Sequence, residues 1–157
     1  LRPLDLSLIE TARDLVRSKK GKPTQANLRR AVGTTYYALF HCLARTAADL
    51  LVGATRASRS DAAWTQAYRA LDHGFAKGQC SNASVMGTFP TAIREFGEEF
   101  VVMQLKRHAA DYAPDETYYK SAVLRDIINA ENVIQRFHRE PAKDRRAFAA
   151  WVVLRTR

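Results

Sequence analysis

Cysteine is scarce in this chain of 157 residues. Only Cys42 and Cys80 occur, too few for a disulfide framework and without the local spacing of a metal-binding knuckle. Both are expected as reduced thiols in or near the core. Five prolines and seven glycines are few for this length, and most punctuate periodic stretches rather than interrupt them. No apolar run approaches the roughly 20 residues that cross a bilayer, which excludes a membrane-spanning role. Nothing at the start reads as a secretory signal, so the Asn82-Ala83-Ser84 triplet is discounted as a glycosylation site and a cytoplasmic location is expected. The first residue is Leu1 rather than Met, which leaves the native start open. No segment alternates with period two long enough for a strand, and no internal repeat is visible. Acidic residues are also in short supply: 16 Asp and Glu stand against 25 Lys and Arg, a formal charge of +9. Such an excess attracts polyanions and says nothing about fold. Nucleic acid is the leading partner class, with an acidic protein or anionic membrane surface behind it.

What the chain does have is helical periodicity. The longest stretch, residues 24–52, sets Leu28, Val32, Thr35, Leu39, Leu43 and Leu50 on one side of a wheel of about 100° per residue. Tyr36, Phe40, Ala47 and Leu51 widen that stripe, which must be buried. The opposite side carries Arg30, Thr34, Tyr37, His41 and Arg45, where an ordinary wet face would carry Glu and Lys. Cations, a phenol, an imidazole and a hydroxyl together can grip a phosphate or a partner. Gly33 costs this helix about 1 kcal/mol relative to Ala and reads as a close approach or a bend.

Around it, residues 6–19 form a first helix, capped by Asp5 and stopped by Gly21 and Pro23. A third helix covers residues 62–76 with its cap at Ser60 or Asp61, and residues 77–89 read as a loop that could order on a ligand. The fourth runs from Pro90-Thr91 to about residue 110 with Ile93, Phe96, Phe100 and Met103 inward. Its stripe continues into Arg107 and Asp111, a charged pair at the edge of the core or at an interface. Asp115 caps a fifth helix over residues 116–139, and residues 142–154 make a short last one. The expected fold is all-α, one domain, an antiparallel up-and-down bundle of five to six helices. The second, fourth and fifth form its body.

Two places carry a family resemblance. Arg30-Ala31 followed by Tyr36-Tyr37-Ala38-Leu39-Phe40-His41 is one, and Arg107-His108-Ala109-Ala110-Asp111-Tyr112-Ala113-Pro114 before another long helix is the other. Together, over roughly residues 3–137, they resemble the HEPN superfamily of small α-helical bundles. The resemblance implies a homodimer. In many members it also implies a metal-independent ribonuclease of toxin–antitoxin, CRISPR or anti-phage systems, encoded beside a nucleotidyltransferase-like antitoxin partner. The family signature is an Arg, four to six intervening residues, then a His. Here the residue after four intervening positions from Arg107 is Tyr112, while His108 follows the Arg at once; Arg69 and His73 have three residues between them.

RNA cleavage without metal needs the ribose 2′-OH aimed at phosphorus, a group to move protons, and a cation to stabilise the phosphorane. Arg107 suits the last task, because its planar fork grips two phosphate oxygens and keeps its charge. Asp111, one turn on, would orient it; Tyr112 would donate to phosphate; His41 or His108 would serve as acid or base. These five are the candidate catalytic residues. Arg30, Thr34, Tyr37 and Arg45 are the candidate contacts to nucleic acid or a nucleotide. No metal site and no cofactor is expected. Plainer roles compete: Arg107–Asp111 as a helix salt bridge, His108 as a cation at a helix C-terminus, His73 and His138 as surface residues. The residues leave two functions open, an RNA-cleaving effector or a non-catalytic dimeric module that binds RNA, a nucleotide or a partner protein.

Overall fold

The hydroxyl of Thr24 accepts the amide of Asn27 and opens a helix, Gln25–Leu51, against which most of the chain is packed. The computed structural model describes residues 2–17 and 21–157. Among them are α1 (Leu4–Val16), α2 (Gln25–Leu51), α3 (Asp61–Arg69), α4 (His73–Cys80), α5 (Ala83–Met86), α6 (Thr91–Tyr112), α7 (Lys120–Arg139) and α8 (Ala142–Val153). A 3₁₀ turn lies at Arg56–Ser58, and the described residues contain no strand. None of these helices is long and apolar enough to cross a membrane.

The apolar stripe of α2 is buried over most of its length: Leu28, Val32, Tyr36, Leu39 and Leu43 are closed to solvent, Phe40, Leu50 and Leu51 are half-buried, and α1, α3, α6, α7 and α8 all touch this helix. Residue pairs fix the directions. Asp5 early in α1 meets Cys42 in the second half of α2 and His138 at the end of α7. Arg29 early in α2 reaches Ala110 late in α6, and Lys106 of α6 meets Asp126 of α7. Helices α1, α2, α6 and α7 therefore alternate up and down around one core. Phe96 of α6 stacks on Phe137 of α7 with centroids 4.4 Å apart, and both meet Phe148 of α8 at steep, T-shaped angles. A reciprocal clamp holds α8 to α4: Trp151 Nε1 donates to Gln79 O (3.0 Å) and Gln79 Nε2 to Trp151 O (2.9 Å). Cys42 and Cys80 are buried thiols.

Among the described residues eight helices stand where five to six were expected, for local reasons. The third helix breaks because the Asp72 carboxylate takes the Phe75 amide at 2.7 Å, ending one helix and capping the next, while Leu71 between them is buried. Residues 77–89 are not a loop. α4 continues through Cys80, Asn82 caps α5, and Cys80 and Met86 pack onto α6 at Gly97, where an added Cβ would stand 2.6 Å from Met86 Cε. Asp115 caps nothing, because residues 113–119 lie outside any helix and α7 begins at Lys120. Arg29 holds that segment by donating to the carbonyls of Ala110, Ala113, Pro114 and Glu116, with its guanidinium 5.0 Å over the Tyr118 ring. Asp5 sits inside the first turn of α1 rather than at its cap, buried and bonded to the Leu6 amide and to His138. α1 ends at Val16; the expected extension to residue 19 falls partly outside the described residues.

Gly33 marks no tight approach. A Cβ there would rest 3.8 Å from Arg107 Cγ, an ordinary van der Waals contact. Gly33→Ala is therefore expected to stabilise the protein by about 0.5–1 kcal/mol through helix propensity alone. A higher urea midpoint with an unchanged slope is the result to look for.

Candidate functional site

The polar face of α2 meets α3, the start of α4 and the last turns of α6, and there the chemistry collects. Arg107 reaches from α6 across α2 with its side chain 20% exposed. Its guanidinium carbon lies 5.2 Å from the centroid of the Tyr36 ring and 5.7 Å from that of Tyr37. Nη1 donates to the Tyr37 hydroxyl (3.1 Å) and stands 3.8 Å from the Asp111 carboxylate, a loose pair one turn along the helix. Nε is buried with no hydrogen-bond partner among the described residues. Two ring faces thus orient this cation without saturating it, and its fork keeps donors for an anion.

Tyr36 is fully buried and its hydroxyl bonds His73 Nδ1 at 2.6 Å. Burial pushes the Tyr36 phenol far up, so it stays neutral. The His73 ring lies flat on Phe40, centroids 4.2 Å apart. Next along α2, His41 Nδ1 bonds the Tyr68 hydroxyl of α3. Burial pushes His41 below its ordinary value; burial and then the Arg107 charge do the same to His73. Each imidazole is therefore neutral near pH 7 and anchored by a phenol through Nδ1. A phenol that donates leaves Nε2 protonated, and one that accepts leaves Nε2 as the base.

Of the residues expected from sequence, the structure gathers Arg107, Asp111, Tyr37 and His41. It does not gather His108 and Tyr112. Successive helical residues point about 100° apart, so His108 turns away from Arg107 and instead faces Tyr112, rings 4.9 Å apart, on a side where Tyr112 is 72% exposed. Arg30 is exposed and, like Thr34, makes no side-chain hydrogen bond in the cluster; Arg45 is drawn to Asp49 of its own helix at 3.6 Å. Tyr36 and Phe40, expected only as core, join the site, together with Tyr68 and above all His73, which was expected on the surface. The cap at Asp72 was the available signal, since it puts His73 at the first position of a new helix. No family model matches the chain, and no curated protein or solved structure matches it.

The two histidines give a pH dependence with a definite sign. Their folded-state pKa values lie below the unfolded 6.5, so the unfolded chain binds protons more readily. Their contribution to stability is complete above 6.5, shrinks as pH falls below it, and levels off beneath the folded values. Unfolding free energy should fall as pH drops through 6.5, with a shallower slope in the His41→Gln/His73→Gln variant. NMR titration should place both imidazole midpoints under 6.5; midpoints at or above it would refute the assignment.

Proposed function

We propose that the chain acts on RNA through Arg107, Tyr37, His73 and His41, as a metal-independent endoribonuclease of HEPN type. The observation that carries this reading is the half-engaged Arg107 guanidinium beside imidazoles held neutral by burial. In this reading Arg107 takes two non-bridging phosphate oxygens and Tyr37 donates to one of them. Neutral His73 accepts the 2′-OH proton as the 2′-oxygen bonds to phosphorus. The acid is the minor fraction of His41 that is protonated, which gives its proton to the departing 5′-oxygen and leaves a cyclic phosphate. The charge of +9 draws RNA to the surface. A homodimer and a nucleotidyltransferase-like antitoxin partner belong to the same proposal. A binding-only module is the second reading, favoured by His108 turning away from Arg107 and by the lack of a histidine at the family spacing.

The deciding experiment incubates purified protein with total RNA in excess chelator, beside Arg107→Ala and His41→Ala. Cleavage lost in the Arg107 variant supports the nuclease, and loss in the His41 variant adds that residue to the reaction. Salt-sensitive binding without cleavage favours the module, and neither cleavage nor binding defeats both readings.

A further inference from the structure

Away from the Arg107 cluster, three helices bring together an Asp, a Cys and a His that are remote in sequence. Asp5 comes from α1, Cys42 from α2 and His138 from α7, and their ligand atoms all lie within 4.8 Å of one another. Asp5 and Cys42 are buried, while His138 is exposed at the mouth. His138 Nε2 is 3.1 Å from Asp5 Oδ2 and 3.6 Å from Cys42 Sγ. With ordinary Zn–S, Zn–N and Zn–O bonds, a tetrahedral ion sets its N and S ligands about 3.5 Å apart and its N and O ligands about 3.3 Å apart. Both edges of the cluster are within a few tenths of an ångström of those lengths. The second oxygen of Asp5 accepts the Leu6 amide at 2.9 Å, so the carboxylate is already oriented with Oδ2 toward the other two groups.

We propose that Asp5, Cys42 and His138 form a mononuclear Zn²⁺ site, with a fourth position open to the adjoining cavity. That cavity holds about 440 Å³ and is walled by Pro3, Thr46, Leu50 and Arg145 among others, so a water or small exogenous ligand can complete the tetrahedron. Charge balances, because a carboxylate, a thiolate and a neutral imidazole cancel the ion's two positive charges. The two cations on the wall are occupied elsewhere: Arg145 Nε donates to Glu140 O and Arg45 pairs with Asp49. Without metal, burial and then the neighbouring Asp5 push the Cys42 thiol up and keep it protonated. Burial pushes the Asp5 carboxyl up as well, but the hydrogen bonds from His138 and the Leu6 amide outweigh it and lower its pKa overall. Binding therefore breaks the Cys42 S–H bond, forms an S–Zn bond and releases that proton to solvent. On binding, the hydrogen that His138 Nε2 directs at Asp5 Oδ2 also leaves that nitrogen, the ring keeps its proton on Nδ1, and Nε2 takes the ion. The ion takes the place of hydrogens that now join the three groups.

The test is a Co²⁺ titration of the reduced, metal-free chain, followed by Zn²⁺ competition. Expected are one Co²⁺ per chain, visible tetrahedral bands, a near-ultraviolet thiolate-to-cobalt charge-transfer band, and bleaching by Zn²⁺. The Cys80→Ser control keeps the band and Cys42→Ser loses it. His138→Ala, at an exposed position, weakens binding at least tenfold; circular dichroism verifies the fold of each variant. No charge-transfer band in the wild type, a band that survives Cys42→Ser, or unchanged affinity in His138→Ala would each overturn the site. Because RNA cleavage is assayed in chelator, failure here leaves the Arg107 proposal standing, and the reverse.

Discussion

On the proposed ribonuclease reading, Arg107→Ala is expected to lower RNA cleavage by about 10²–10³-fold, the loss typical of removing one preorganised donor to developing negative charge. The magnitude follows from how the side chain is held. Tyr36 and Tyr37 flank the guanidinium and the Tyr37 hydroxyl takes Nη1, so its orientation is set before substrate arrives. A contact that strengthens as charge builds on the phosphorane acts mainly on kcat, so single-turnover rates should fall further than KM rises. Arg107→Lys keeps the charge but not the fork, and should recover only part of the loss. A second readout separates chemistry from structure. The Arg107 charge helps hold the His73 imidazole down, so in Arg107→Ala the His73 titration should move up toward 6.5 while the fold is kept. Wild-type cleavage in the folded variant would remove Arg107 from the mechanism.

The parts of the fold visible in the sequence are those in which the buried face repeats along one element. α2 could be read almost residue by residue, because Leu28, Val32, Leu39 and Leu43 recur at helical spacing and are all buried. The same holds for Ile93, Phe96, Phe100 and Met103 of α6. Periodicity cannot tell one helix from two pinned end to end, so Trp64, Tyr68, Leu71 and Phe75 looked continuous across the Asp72 break. The late start of α7 was hidden differently. Arg29 claims carbonyls that lie 81 to 87 positions away along the chain, and no local pattern announces such a contact.

The candidate site divides along the same line. Tyr37 and His41 share a face of α2, and Arg107 and Asp111 continue a stripe of α6, so each pair could be named from spacing. His73 and Tyr68 arrive from α4 and α3, and only tertiary packing brings them in. His108 follows Arg107 directly, and on a helix that adjacency separates the two side chains. The Asp5–Cys42–His138 group is the extreme case: its hydrogen bonds span 133 and 96 positions, beyond any local ligand motif.

Phe96→Ala is expected to destabilise the protein by about 3–5 kcal/mol, the range for truncating a buried aromatic. Phe96 has no exposed surface and lies against Phe137 at 4.4 Å and Phe148 at 6.2 Å, so its ring joins α6 to α7 and α8. Removing it forfeits the transfer free energy of the ring and leaves a void that stiff neighbouring helices cannot collapse. Because domains of this size are stable by only about 5–15 kcal/mol, a loss on that scale should lower Tm by about 6–20 °C. Ile134→Val, which removes one methyl from an equally buried position in α7, should cost about 0.5–1.5 kcal/mol. The contrast tests whether the three phenylalanines are the tightest part of the core. Urea unfolding of both variants should move the midpoint at constant slope, and a Phe96→Ala loss no larger than that of Ile134→Val would show that the aromatic cluster is not what binds α8 to the bundle.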